Sequence, residues 1–387
     1  MGLVAAARSR RRWVVAAVVA ALLGLGVLAL WKGRRALEVL VLTDMKVVTL
    51  ADGLDTPWSL AFLPDGRWLL SERPGRLRLF PRQGGPGALV QGLPPVWPAG
   101  GLMGIVVAAD GGDLPWVYWS YMEPAEGDTG RNAVARGRLR GTQLEAVEVI
   151  FRDPQAGPDR GAFGSRLAFG PQGHLFVTLG DRSEPERVQR LDSYRGKLLR
   201  LLPDGRVPPD NPFVGRAGAL DAIWALGFRD PQGIAVDPAS GNAWVSDHGP
   251  LGGDEINLVK PGANHGWPLV SYGCEEHRCT PIGDGSREKP GLAPAAIWWG
   301  EDVAVPPSAL LRMDSPRYPD WRGELLLGTL QGQALLRLRV EGEQLTDPRP
   351  VYAGRAQRTR DLQLGPDGWL YLVTNTPDGR VLRLEPR

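Results

Sequence analysis

Histidine, cysteine and methionine are scarce in this chain: four, two and five of them in 387 residues. The histidines, His174, His248, His265 and His277, are the whole stock of side chains that ordinarily exchange protons near neutral pH. The cysteines, Cys274 and Cys279, are separated by Glu-Glu-His-Arg. Two alone exclude a multi-cysteine zinc module, because His277 is the one other soft ligand close by. They read either as one small disulfide-closed loop in an oxidising compartment or as two free thiols. Helical periodicity is almost absent after residue 40, which excludes a helical protein.

A basic stripe is also missing. The formal net charge of +2 comes from residues 1–35, which hold seven basic residues and no acid; the remainder has 38 basic against 43 acidic residues. A mildly acidic body without a cationic face excludes a nucleic-acid partner. There is one long apolar run. Between Trp13 and Trp31 lie only Val, Ala, Leu and Gly. As a helix, residues 14–30 would rise roughly 26 Å, about the thickness of a bilayer core. Tryptophans at its ends suit the two interfaces, and the arginines before it suit the cytoplasmic side. Residues 1–35 are therefore expected to be a basic tail and an anchor in the inner membrane. The body, 36–387, would then sit on the periplasmic face. The alternative is a cleaved export signal, since Ser9-Arg10-Arg11-Arg12-Trp13 loosely resembles a twin-arginine motif.

Glycine (51) and proline (35) are abundant, and 43% of the chain is hydrophobic, enough for a sizeable core. One phrase recurs. It reads Phe62-Leu63-Pro64-Asp65-Gly66-Arg67-Trp68-Leu69-Leu70 and returns at 169–177, 236–245 and 364–372. Each copy is an apolar strand end, a tight turn and a second apolar strand, the grammar of a β-hairpin. Hairpins repeated along the whole chain predict an all-β, six-bladed propeller, with a pair of β-sandwiches as the alternative. Propellers carry ligands at the mouth of the central channel.

The densest polar stretch is Asp247-His248-Gly249-Pro250-Leu251-Gly252-Gly253-Asp254-Glu255-Ile256-Asn257. Glycine and proline make it a rigid, sharply turned loop. Such a loop can turn backbone carbonyls inward, as a hard cation such as calcium requires. A plain solvated loop between strands reads equally from composition alone.

Several motifs follow one another in a fixed order. They are Pro57-Trp58-Ser59-Leu60-Ala61-Phe62-Leu63-Pro64-Asp65-Gly66, Phe163-Gly164-Ser165-Arg166-Leu167, Gly196-Lys197-Leu198-Leu199-Arg200 and Pro208-Pro209-Asp210-Asn211-Pro212-Phe213. Ile223-Trp224-Ala225-Leu226-Gly227-Phe228-Arg229-Asp230-Pro231-Gln232-Gly233, the loop 248–257 and Gln357-Arg358-Thr359-Arg360-Asp361 complete them. From about residue 47 onward the chain resembles the soluble aldose sugar dehydrogenases of the glucose/sorbosone dehydrogenase family, which use pyrroloquinoline quinone (PQQ). The resemblance implies a periplasmic six-bladed propeller that oxidises aldose sugars, with calcium and PQQ in the channel mouth. It places Arg229, Arg358 and Arg360 on the carboxylates of PQQ, a task suited to charge-assisted forks. His248 and Asp254 fall in the same pocket, and Gly249 and Pro250 offer carbonyls to calcium.

The resemblance also marks departures. The family's catalytic histidine, just before Phe-Gly-x-Arg-Leu, is Ala162 here. A pocket glutamine before Gly-Gly-Leu is Ala99, the asparagine after Arg229 is Asp230, and a pocket lysine aligns with Gln331. Ala99 and Ala162 line the substrate pocket, and alanine cannot take a proton. These changes shift the site toward negative charge, which implies weaker quinone binding and slower oxidation. Of the side chains present, Asp230 is the candidate substitute base. Two other readings stay open: a non-catalytic propeller that binds a sugar, an envelope polymer or a protein, and a calcium-dependent lactonase-like hydrolase.

Overall fold

The computed structural model describes residues 45–108, 113–275, 278–300, 305–331, 334–353 and 358–386. The expected tail and anchor, His277 and Gln357 lie outside them. No described helix is long and apolar enough to cross a membrane. The described chain is all-β, with two short 3-10 turns, Pro185–Arg187 and Pro319–Trp321.

Six four-stranded antiparallel sheets follow one another as blades. Their innermost strands are Pro57–Phe62, Leu102–Ala108, Gly164–Phe169, Pro231–Val236, Pro307–Arg312 and Thr359–Leu364. Each packs on the next, and the sixth packs on the first, which closes the ring. The closure is built into the sequence order. The outer strand of the sixth blade is Met45–Leu54, from the N-terminal side, hydrogen-bonded to Gly379–Pro386. Pairing the two ends of one blade leaves no open gap in the ring.

The recurring phrase is the first turn of blades one, three, four and six. In three of them the same ladder appears: Gly66 N donates to Leu63 O (2.9 Å), Gly173 N to Gly170 O (2.9 Å) and Gly368 N to Gly365 O (2.8 Å). Those glycines have φ of +87°, +78° and +79°, which other residues rarely adopt. The fifth blade turns instead through Pro319–Trp321 and does not carry the phrase.

The hydrophobic core lies between blades rather than in a single centre. Leu69 and Leu77 of the first blade pack with Trp119 and Ala135 of the second, and Val245 of the fourth with Phe176 and Leu198 of the third. Toward the channel the seams become polar. Every innermost strand has a register irregularity near its start. A bulge leaves a backbone carbonyl without a ladder partner. Buried hydroxyls satisfy these carbonyls across the seams. Ser71 Oγ donates to Met103 O (2.6 Å), Ser120 Oγ to Ser165 O (2.5 Å) and Thr178 Oγ1 to Pro231 O (2.9 Å). Ser246 Oγ donates to Ser308 O (3.0 Å) and Ser308 Oγ to Thr359 O (2.6 Å). Asp361 joins the sixth blade to the first, its Oδ2 accepting from Leu60 N at 2.8 Å and Ser59 Oγ at 3.1 Å. The bulges thus turn each strand start toward the channel mouth, and the staples hold it there.

Candidate active site at the channel mouth

A cavity of about 250 Å³ opens at this mouth, walled by Trp58, Arg73, Ala162, Asp230, Arg358 and Arg360, together with Gln232 and His248. It draws on the first strand starts of blades one, four and six and on the connector before blade three. Beneath it, Arg166 forms a pedestal. Its guanidinium pairs with Asp361 at 3.0 Å, donates to Gln232 O (2.9 Å) and Arg360 O (3.1 Å), and lies over the Trp58 ring.

Three guanidinium groups face this cavity without a carboxylate partner among the described residues. Arg360 is 7% exposed. Its Nη1 donates to Gln232 Oε1 (2.8 Å), and its Nε has no partner. Burial, then the neighbouring Arg166, Arg73 and Arg358, lower its pKa to about 9. Arg358 is exposed at the rim. Arg73 is half-buried, and burial lowers its pKa against the pull of Asp159 and Asp230.

One carboxylate answers them. Asp230 Oδ1 accepts from Gly164 N (3.0 Å) and Gln232 Nε2 (2.9 Å). Its Oδ2 makes no hydrogen bond among the described residues, and His248 Nδ1 lies 3.9 Å away. Gln232 therefore connects Arg360 to Asp230 through its two amide ends. The turn carrying Asp230 is clamped by Asp247, which accepts from Arg229 N (2.8 Å) and Asp230 N (2.6 Å). Burial, then Glu255, raise the Asp247 pKa well above the ordinary range.

His248 has its Nε2 2.5 Å from Pro307 O, so that nitrogen carries the hydrogen and donates. Burial holds its pKa below the usual histidine value, so the ring is neutral at pH 7. His265 is buried beside Phe228, its pKa driven to about 3, and does not line this cavity; His174 sits in the first turn of blade three. Apart from His248, no described imidazole reaches the cavity beside Ala162.

The loop 247–257 lines a second, smaller cavity of about 20 Å³ with Arg229, Gly249, Pro250, Glu255 and His265; His248 is common to both. The loop is locked. A Cβ on Gly249 would lie 2.0 Å from Gly252 O. Asp254 braces it, accepting from Gly249 N (3.2 Å) and Val305 N (3.1 Å). Leu251–Gly252 pairs with Gly273–Cys274, and Cys274 is disulfide-bonded to Cys279. Sequence reading left that pair open between disulfide and thiols.

The residues of the expected cofactor pocket thus divide. Arg358, Arg360, Asp230 and Ala162 share the channel-mouth cavity, whereas Arg229, Gly249 and Pro250 wall the smaller one. Ala99 packs behind, against Trp58, Trp97, Met103, Met122 and Phe163. Two tests of fit follow. A polyanion fits the larger cavity: unpaired guanidiniums surround it, and a buried Arg360 donor has no partner. A calcium ion does not fit the loop as arranged. Gly249 O accepts from Arg229 Nη1 at 2.8 Å, so a guanidinium occupies the approach to that carbonyl. No cluster of three His, Cys, Asp or Glu able to hold a metal occurs among the described residues.

Sequence reading missed Trp58, Gln232 and Arg73 as cavity residues. Trp58 and Gln232 stood inside quoted motifs at strand starts. Arg73 follows directly on the strand Trp68–Glu72, before Pro74-Gly75, and strand-to-turn junctions on one side of a propeller are where channel residues lie. It restores a positive charge to a site judged from the four departures alone to have lost two.

Comparison with known proteins agrees with this architecture. The family model described as glucose/sorbosone dehydrogenase matches residues 54–383. The aldose sugar dehydrogenase of Escherichia coli strain K12 is 36% identical over 349 residues, covering 89% of this chain and 93% of that protein. Its apo crystal structure superposes with a TM-score of 0.83, at 35% identity, over 89% of this chain and 100% of that one. The PQQ-bound aldose sugar dehydrogenase of Streptomyces coelicolor gives a TM-score of 0.70 at 29% identity, over 88% and 98%.

Proposed function

Because the chain belongs to the glucose/sorbosone dehydrogenase family, we propose that it binds PQQ in the channel-mouth cavity and oxidises a sugar hydroxyl there, with Asp230 as proton acceptor. The observation that carries this reading is one cavity with three unpaired guanidiniums and one carboxylate that keeps an oxygen open. When bound, the quinone supplies the hydride-accepting group. Arg358 and Arg360 bind its carboxylates, and the unpartnered Arg360 Nε gains an acceptor. Gln232 holds Arg360 and Asp230 in fixed relation. Asp230 Oδ1 is anchored by two donors, which leaves Oδ2 to take the hydroxyl proton. His248 is fixed through Nε2 with its unprotonated Nδ1 3.9 Å from that oxygen, so it lends no positive charge there. Ala162 takes no part in proton transfer. We also place the chain on the periplasmic face of the inner membrane, anchored through residues 14–30; the disulfide supports an oxidising compartment.

The test is a base exchange. Dye reduction by the full chain, loaded with PQQ and given aldoses, should fall roughly 10²–10⁴-fold in Asp230→Asn, the usual loss for a missing general base. Adding Ala162→His to that variant should restore much of it. The backbone at 162 has φ +48°, a region histidine enters more readily than most residues. Unchanged turnover in Asp230→Asn would remove Asp230 from the mechanism. A second reading, a binding propeller without catalysis, rests on Ala162; it wins if the wild-type chain binds PQQ but turns over no sugar.

A further inference from the structure

Arg73 shares the cavity with the trimmed position Ala162, while Ala99 packs behind it and offers its backbone carbonyl. Arg73 is held by backbone: its Nε donates to Gly100 O (3.1 Å) and one Nη2 hydrogen to Ala99 O (3.3 Å). A guanidinium has five N–H donors, one on Nε and two on each terminal nitrogen. Three therefore remain, both on Nη1 and one on Nη2, and they form an end-on fork. Nothing among the described residues accepts from that fork. Asp159 and Asp230 act on Arg73 at a distance, and neither forms an ion pair with it. The ring of Phe163 supports it from beneath, 5.7 Å from its guanidinium carbon. Arg73 is thus held by two backbone carbonyls, half-buried and without a carboxylate partner among the described residues, in a wall where the neighbouring Ala162 carries only a methyl group.

A pocket that recognises a neutral aldose needs hydrogen-bond partners for hydroxyls. It has no use for an unneutralised, pre-aimed fork, which costs desolvation energy while it stays empty. The geometry of such a fork matches a carboxylate in bidentate contact. Arg358 and Arg360 come from the start of blade six and Arg73 from blade one, so the cationic wall extends past the arginines assigned to the cofactor.

We propose that the sugar bound here is itself an acid, of the uronate or aldonate class, and that Arg73 receives its carboxylate. This rests on the assignment of the cavity to sugar oxidation and sharpens it. Arg73 then fixes the end of the substrate remote from the reacting hydroxyl, and Ala162 gives the carboxylate room.

Calorimetry on the full chain tests it, with D-glucuronate, its neutral amide and D-glucose as probes. Glucuronate should bind roughly ten- to a hundredfold more tightly than the amide or glucose, as a charge-assisted pair implies. Arg73→Gln should erase that preference, and Arg73→Lys, which keeps the charge but not the fork, should retain part of it. PQQ affinity, titrated separately, should fall far less in both variants than in Arg358→Gln. Equal binding of the three probes by the wild-type chain overturns the proposal. So does a preference that survives Arg73→Gln, or a loss of PQQ affinity in Arg73→Gln as large as in Arg358→Gln. If Arg73→Gln does not fold, Arg73→Lys decides, because an undiminished preference there refutes the fork. A wild-type chain that shows the expected preference but reduces no dye with PQQ present refutes the oxidation and upholds the recognition.

Discussion

Arg195 and Arg360 are both buried arginines, and their surroundings differ in kind. Arg195, between blades two and three, reaches Asp153 Oδ2 at 2.5 Å, Glu184 Oε2 at 3.0 Å and Gln155 O at 3.2 Å. All three of its nitrogens are satisfied, two of them by carboxylates. Arg360, at the channel mouth, has one amide oxygen and an unpartnered Nε. Burial of an unneutralised charge costs several kcal/mol, so a seam built only for stability would resemble the first case. The difference separates cohesion from function. At Arg195 the partners of the charge lie in the same chain; at Arg360, which faces the cavity, the partner must arrive.

That comparison can be broken or sharpened by substitution. The largest effect on stability is expected from Arg195→Met, which strands Asp153 in the interior: urea unfolding should show a loss of about 3–5 kcal/mol. A small loss would mean that the seam charges are as dispensable as those of the mouth. Arg360→Met should act in the opposite direction. It removes an incompletely satisfied charge and should raise stability by about 1–3 kcal/mol in the unliganded chain while weakening PQQ binding. Destabilisation instead would show that its bond to Gln232 outweighs its desolvation.

Glu255, beside the smaller cavity, gives a pH-dependent version of the same contrast. Burial raises its pKa to about 7, from an ordinary value near 4.5. The folded chain then binds a proton that the unfolded chain has released, so stability declines as pH rises from about 4.5 to 7 and stays lower above that range. Glu255→Gln should remove this decline. Its advantage in thermal or urea unfolding should be about 3 kcal/mol at pH 8 and vanish near pH 4. An advantage that is constant across that range would assign the effect to something other than this carboxyl. The smallest effect belongs to the seam hydroxyls. Ser120→Ala or Thr178→Val each leaves a buried carbonyl and a buried N–H unmet and should cost about 1–2 kcal/mol with quinone affinity unaltered. A change in affinity would tie the staples to the site rather than to the ring alone.

Much of the fold was legible because the turns are chemically explicit. A glycine forced to positive φ after Pro-Asp or Pro-Gln announces the same hairpin wherever it recurs, and residues 62–70, 169–177 and 364–372 fold accordingly. The fifth blade was not announced, since its first turn runs through the 3-10 segment at Pro319–Trp321. At the site, Arg358 and Arg360 were readable from their motif, and Asp230 from its place after Arg229. Arg73 was not reached by the same reasoning: its one signal is its place at a strand-to-turn junction, outside the quoted motifs and close to the half-buried Arg76 and Arg78, which bind Glu72 at 2.7 and 2.9 Å.

The amino-acid order by itself determined the hairpin turns and the presence of alanine rather than an imidazole at position 162, because backbone conformation and side-chain chemistry are local properties. Only the closed ring decided which charges meet. Residues 73, 230 and 360 are too far apart in the chain for any local rule to relate them, and six bulged strand starts around one axis bring them to a single cavity. There burial away from water makes the absence of a partner matter.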